Sequence, residues 1–309
     1  MLNKTIRILN FDDSITSQHK LISEYNSEII NLKDMVSEAR FWIKPKDKEE
    51  VKRRISGTKS DAITFLGSGD FHHISNILID EFKEPISVIS FDFHPDWNTL
   101  LPVLSCGSWV SETLKNKNIL KCISVGVSSK DMGGLNIYAG DLASLKDDRL
   151  EIYPYSHKPS LVLFKKVPDN ISIEINRYPL LTKICWNELK NKSLIEFFLH
   201  IVRRLPSRNV YITIDKDVLS PEYAVTNWEE GMLPLEGLLV ILKIIKDHLN
   251  VVGVDICGDY SKIRIHSVFK KMISYLGHPK DMGMDDLGES FINGVNEETN
   301  LKILEVLSS

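Results

Sequence analysis

The sequence is short of several things, and each shortage removes a class of function. Four cysteines in 309 residues stand far apart, and no Cys-x-x-Cys pair exists to build a zinc knuckle or a redox motif. Reduced thiols are expected. No run approaches the ~18 apolar residues of a membrane span, and the opening Met1-Leu2-Asn3-Lys4-Thr5 lacks the apolar stretch of a secretion signal. A cytoplasmic protein with no membrane partner is expected. Charge of one sign is also missing: 38 Lys and Arg face 42 Asp and Glu, a net charge of -4. That balance gives no polybasic surface, so nucleic acid is not an expected partner. Low-complexity tracts, internal repeats and a Pro/Gly/Ser linker are absent, so a single domain over residues 1–309 is expected.

What is present reads as an α/β protein. With 43% hydrophobic and 26% charged residues the composition is that of an ordinary globular chain. Short runs rich in Val, Ile, Phe and Tyr at 6–11, 62–66, 86–91, 121–127, 210–214 and 251–256 predict strands. Most are apolar on consecutive positions, which implies burial on both faces and a mostly parallel sheet. Between the last two, residues 235–250 carry Leu238, Leu239, Leu242, Ile245 and Leu249 at helical spacing and predict a covering helix. The charged stretch 44–54 reads as a solvated helix face, 277–279 and 282–284 as loop punctuation, and 297–307 as a closing helix.

Chemistry concentrates where three strands end. Residues 89–91 run into Asp92-Phe93-His94-Pro95-Asp96. In an extended backbone alternate side chains share a face, so Asp92, His94 and Asp96 could close on one ion. The apolar run 210–214 likewise ends in Asp215-Lys216-Asp217, and 65–66 ends in a Gly-rich turn followed by His72 and His73. Carboxyl ends of parallel strands are where open α/β proteins bind ligands. Asp92, Asp96, Asp215 and Asp217 would bring four negative charges together with no basic cluster nearby in sequence, and two divalent ions would neutralise them. Imidazole and carboxylate donors without thiolate suit manganese first, with iron, cobalt, nickel or zinc as alternatives. Such a pair holds a shared water as hydroxide at neutral pH and polarises the bond under attack, which is hydrolytic chemistry.

In these motifs the chain resembles the arginase, agmatinase and formiminoglutamase group, the ureohydrolases. Their signature is a Gly-Gly-Asp-His turn, an Asp-Ala-His-x-Asp strand end and a Ser-x-Asp-x-Asp strand end. Here the same order appears as 67–73, Asp92-Phe93-His94-Pro95-Asp96 and Thr213-Ile214-Asp215-Lys216-Asp217. The resemblance implies a three-layer α/β/α sandwich around a mostly parallel central sheet. It also implies two manganese ions held by His72 or His73, His94, Asp96 and Asp217, with Asp92 and Asp215 bridging. Asp92, Asp215 and Asp217 would serve the hydroxide that attacks the substrate. Phe71 is an insertion relative to the signature, and the helical spacing of Ile74 and Ile79 favours His72 over His73. Asn98 stands where arginases contact the substrate carboxylate, and Asp131 where they bind its amine.

Two departures concern the substrate. The segment Leu104-Ser105-Cys106-Gly107-Ser108-Trp109 has no histidine where arginases place a proton shuttle. Gly258 replaces the glutamate that grips the guanidinium, leaving Asp259 as a substitute from the next position. Cys106 is expected to line the pocket, with Trp97 and Trp109 shaping or covering it. The expected function is a binuclear metallohydrolase of a linear C–N bond in a guanidino, amidino or amide-like small molecule. The alternative is a catalytically silent relative whose centre is structural or sensory. A magnesium-dependent phosphoryl-transfer enzyme ranks last, because no Walker-type loop is present. Assembly is left open.

Overall fold

The computed structural model describes residues 5–58, 62–262, 270 and 288–309. The expected punctuation at 277–279 and 282–284 lies outside them. The described strands are β1 (Thr5–Asn10), β2 (Asn26–Asn31), β3 (Trp42–Ile43), β4 (Ile63–Gly67), β5 (Ile86–Phe91), β6 (Leu104–Ser105), β7 (Ile119–Val125), β8 (Leu150–Tyr153), β9 (Ser160–Leu163), β10 (Ile173–Arg177), β11 (Leu181–Trp186), β12 (Asn209–Asp215) and β13 (Asn250–Cys257). Eight of them form one sheet in the order β2-β1-β4-β13-β12-β5-β7-β8. Every neighbouring pair in it is parallel.

Helices cover both faces, because the inner strands are apolar in both directions. On one face Ile89 and Phe91 of β5 and Ile212 and Ile214 of β12 pack with Phe198 and Ile201 of helix Leu194–Arg204, Leu238 and Leu242 of helix Leu235–His248, and Ile303 and Leu304 of helix Glu289–Ser308. On the other, Val88 and Tyr211 join Val51 and Ile55 of helix Pro45–Ile55, Ile77 of helix Ser75–Ile79, and Val110 and Leu114 of helix Trp109–Leu114. This is the expected three-layer α/β/α arrangement. Helix Pro45–Ile55 turns Glu50, Arg53 and Arg54 outward as an ion-paired face, while Val51 and Ile55 are buried. Among the described residues no helix is long and apolar enough to cross a membrane.

The structure adds strands that were not expected, β2 and β8 in the main sheet and the β3–β6 pair, and differs in two larger features. The closing helix begins at Glu289, eight residues before the expected 297. Its inner face carries Asn296, Thr299 and Asn300, buried and hydrogen-bonded to Val225, Tyr223, Gln18 and Asp259, and before residue 297 Ile292 is the buried apolar side chain, too little to make an apolar stripe. A small antiparallel sheet, β10-β11-β9, also lies apart from the main one, with partly exposed strands that give weak patterns.

What positions the site is the strand order. β4, β13, β12 and β5 are consecutive neighbours, so residues distant in sequence leave the sheet side by side at its carboxyl edge.

Candidate metal centre

The turn after β4 decides which of two adjacent histidines faces the cluster. Gly69–Ile74 winds as a 3₁₀ helix, in which successive side chains are about 120° apart. Phe71 is thereby buried, stacked on Phe11 at 4.5 Å between centroids. Asp70 pairs with Arg40 Nη1 at 2.6 Å. His72 points into the carboxylate cluster: its Nδ1 lies 3.0 Å from Asp92, 3.5 Å from Asp96 and 3.6 Å from Asp215. His73 points elsewhere and joins no ligand group among the described residues, which corrects its place among the candidate ligands. The close approach of the turn to Asp215 requires glycine at 69, where a Cβ would come within 2.6 Å of Asp215 Oδ2.

Asp92, His94 and Asp96 converge, but by a route the alternation argument did not foresee. The strand stops at Phe91 and the chain bends at Phe93 and His94. Asp96 then adopts φ +45°, a left-handed conformation uncommon for a residue with a side chain. The bend is fixed because His94 N donates to Asp92 Oδ1 at 2.6 Å and Phe93 N to Asp217 Oδ1 at 3.0 Å. His94 Nδ1 then lies 2.9 Å from Asp217 Oδ2 and 3.6 Å from Asp92 Oδ1.

Asp92 therefore stands between two imidazoles. Ligand atoms of His72, Asp92 and Asp96 lie within 4.8 Å of one another, and so do those of Asp92, His94 and Asp217 and those of His72, Asp215 and Cys257. Two triads sharing one carboxylate, with Asp215 against His72, match the donor set of a pair of divalent ions.

The surrounding residues orient the ligands. Thr213 donates its single hydroxyl proton to Asp255 Oδ1 at 2.7 Å, so it accepts from His72 Nε2 at 2.9 Å. That leaves Nδ1 as the lone-pair nitrogen of the neutral ring, facing the carboxylates. Ser75 and Tyr211 hydroxyls hold Asp255 from two further directions. Trp109 Nε1 donates to Asp96 Oδ2 at 2.7 Å. Trp228 Nε1 donates to Asp70 Oδ1 at 3.0 Å.

Without cations the cluster retains protons. Burial disfavours charge on His72, but the hydrogen bond to Asp92 and the charges of Asp92, Asp215 and Asp96 outweigh it and push the imidazole up to about 10. His94 is likewise raised against burial by Asp217, Asp92 and Glu229. Burial and the charge of Asp92 raise Asp96, and burial with the charges of Asp215 and Asp92 raises Asp217. Asp92 alone is lowered, since both histidines hydrogen-bond to it in spite of burial.

A cavity of about 160 Å³ opens onto this cluster. His72, Asp92, His94, Asp96, Asp215 and Asp217 line it together with Gly69, Cys106, Gly107, Asp131 and Trp228. It has room for the reacting end of a small molecule. Cys106 and Asp131 are thus among the lining residues. Burial and the neighbouring Asp96 and Asp70 charges push the Cys106 thiol up, which keeps it neutral.

Three other candidates do not line the cavity. Asn98 Oδ1 accepts from Leu100 N at 2.8 Å and shapes its own turn. Trp109 is buried behind Asp96. Asp259 turns inward and accepts from Lys216 at 2.7 Å, Gln18 at 2.7 Å and Asn300 at 3.1 Å. Nor could a side chain replace Gly258, whose φ is +89° and whose Cβ would come within 2.4 Å of Asp215 Oδ1. Position 258, packed against Asp215 and Lys216, is closed to a glutamate.

Sequence reasoning missed Trp228, Glu229 and Cys257. Glu229 Oε2 lies 3.1 Å from His94 Nε2, across 135 residues of chain. Cys257 Sγ lies 3.2 Å from Asp215 Oδ2, so the cluster is not free of sulfur as the manganese argument assumed. Burial and the Asp215 and Asp255 charges raise this thiol too, and it donates to Asp215 as a neutral group.

No family model matches the chain. A Thermotoga maritima protein described as uncharacterized is 25% identical over 259 residues, covering 84% of this chain and 81% of its own length. Solved structures of similar fold include an Entamoeba histolytica arginase in complex with L-ornithine, with a TM-score of 0.59, 12% identity and the whole of both chains covered. The Streptomyces clavuligerus proclavaminate amidino hydrolase gives 0.58 and 14% identity over 98% of this chain and 90% of its own. A Bacillus subtilis formimidoylglutamase gives 0.57 and 15% identity over 98% and 86%. The chain has the arginase-like α/β fold.

Proposed function

We propose that this arginase-fold protein is a binuclear metal-dependent hydrolase acting on a linear C–N bond of a small amidino, guanidino or amide-like molecule. The observation that carries the reading is the pair of ligand triads sharing Asp92 at the floor of a small cavity. His72 and Asp96 would hold one ion and His94 and Asp217 the other, with Asp92 and Asp215 serving both. Manganese is the first choice for these oxygen and imidazole donors. When bound, such a pair lowers the pKa of water and polarises the group under attack.

The chain's own residues supply position and charge. Thr213 and Trp109 hold His72 and Asp96 in fixed orientations. Asp131, at the cavity wall, presents a carboxylate to a cationic substrate group. Trp228 offers a flat wall, and the Cys106 thiol, neutral, is a pocket surface and not a nucleophile. With glycine enforced at 258, recognition of the scissile group differs from that of an arginase.

Metal analysis of the purified protein, followed by a screen for ammonia, urea or amine release from amidino, guanidino and amide compounds after manganese loading, tests the reading. About two ions per chain with product release is expected. Asp92→Asn and Asp215→Asn should each lose metal while keeping the fold by circular dichroism. Full occupancy in either variant refutes the shared-ligand assignment, and two ions without release from any compound refutes the hydrolase.

A further inference from the structure

A histidine that binds a metal through one ring nitrogen needs an acceptor for the N–H on the other, and that acceptor fixes tautomer and ring orientation. The two histidines of the cluster differ in this respect. His72 is served from within the fold by the buried hydroxyl of Thr213. His94 is served by a side chain that solvent reaches, Glu229 at 3.1 Å from Nε2.

Glu229 is about half exposed, yet its backbone has little freedom. On one side Val225 exchanges two hydrogen bonds with the Asn296 side chain, and Asn227 Nδ2 donates to Ser261 O at 2.9 Å. On the other, Gly231 N donates to Asp217 O at 2.6 Å, a contact so close that a Cβ at 231 would come within 2.0 Å of Val218 O. The loop is thus tied to the segment that carries Asp217. The His94 ring also meets Trp228 edge-on at 5.4 Å between centroids.

We propose that Glu229 is the positioning residue of the second metal position. As an ionised carboxylate it only accepts, so it selects the tautomer with the proton on Nε2 and aims the Nδ1 lone pair at the space between Asp92 and Asp217. The inference rests on the proposed metal centre. It adds that the two positions are unequal: the first is oriented by a buried chain, the second by a side chain that solvent reaches.

The test measures both dissociation constants in the full-length protein by competition with a chromophoric chelator, using manganese and zinc. Glu229→Leu should weaken one ion about 10–100-fold and leave the other unchanged, the range typical for loss of an outer partner of a ligating histidine. Glu229→Gln, which keeps an oxygen acceptor but no charge, should recover most of the affinity. In a His94→Ala background, where only the first position remains, Glu229→Leu should have no effect. Equal weakening by Glu229→Gln and Glu229→Leu overturns the inference in favour of a simple charge effect. Wild-type affinity at both positions in Glu229→Leu overturns it outright while the metal centre stands. A wild-type protein that takes up no pair of ions defeats the metal centre itself, and the inference with it.

Discussion

Replacing His73 by leucine should make the protein more resistant to acid while leaving its metal content alone. The His73 side chain is fully buried, and its ring makes no well-formed hydrogen bond among the described residues, with the backbone of Ala39 the hydrogen-bonding group that favours its charged form. Burial first, then the charges of Lys270 and His72, hold its imidazole down at about 3, with Asp70 pulling weakly the other way. In the unfolded chain the same group titrates near ~6.5. A depressed folded pKa means that below ~6.5 the unfolded state gains a proton the native state refuses. Stability is therefore fully present above that pH, falls as pH drops, and stops falling near the folded value. At pH ~4.5, two units below the unfolded value, the loss from this one group is roughly 3 kcal/mol. Leucine is close to histidine in volume and does not titrate, so the variant escapes this loss. Urea unfolding of both proteins at pH ~7 and ~4.5, with chelator throughout, gives a difference of differences in which the other titrating groups cancel. Wild type should lose roughly 3 kcal/mol more than the variant. Equal losses would show that His73 charges freely in the native state and would refute the burial argument. Metal content supplies the second arm: His73→Leu should match wild type, whereas His72→Leu should lose the first ion. Equal metal content in the two variants would remove the turn after β4 from the site.

The legible parts of the molecule were those where one local rule sufficed. β5 and β12 are apolar on consecutive positions and end in carboxylates, so both the parallel sheet and the acidic edge could be read from short windows. The spacing of Ile74 and Ile79 favoured His72 over His73, but the reason His72 faces the cluster is the pitch of a 3₁₀ turn and the stacking of Phe71 on Phe11, which lies at another strand end. Asp96 reaches the cluster through a left-handed residue after Pro95, a conformation that alternation does not contain.

Partnerships across the fold were not legible at all. Lys216 sits between two candidate ligands in sequence and reads as a surface charge, yet it turns inward to Asp259 and removes that carboxylate from substrate reading. Glu229 and Trp228 lie in a segment without periodicity, and hydrogen bonds to distant residues, among them Asn296, Ser68 and Ser261, bring that segment over the site. In the same way the first turns of helix Glu289–Ser308 were hidden because residues 289–296 bury only Ile292 and Asn296, and Asn296 is spent on a hydrogen bond instead of on apolar packing.

Two further substitutions separate orientation from occupancy at the centre. Trp109→Phe keeps a ring beside His72 but removes the N–H that Asp96 accepts, and it should weaken the first ion about 10–100-fold by the same chelator competition; unchanged affinity would show that Asp96 holds its place without the indole. Lys216→Met leaves buried Asp259 with only the neutral donors Gln18 and Asn300, an uncompensated charge that should cost about 3–5 kcal/mol in urea unfolding. Because Lys216 separates Asp215 from Asp217, the variant also asks whether the ligand strand keeps its place when its inward anchor is cut. The double change Lys216→Met with Asp259→Leu removes both charges together, so it should be more stable than Lys216→Met alone and should bind metal as wild type does. A double variant no more stable than the single one would mean that the lysine acts through its packing and not through the buried pair.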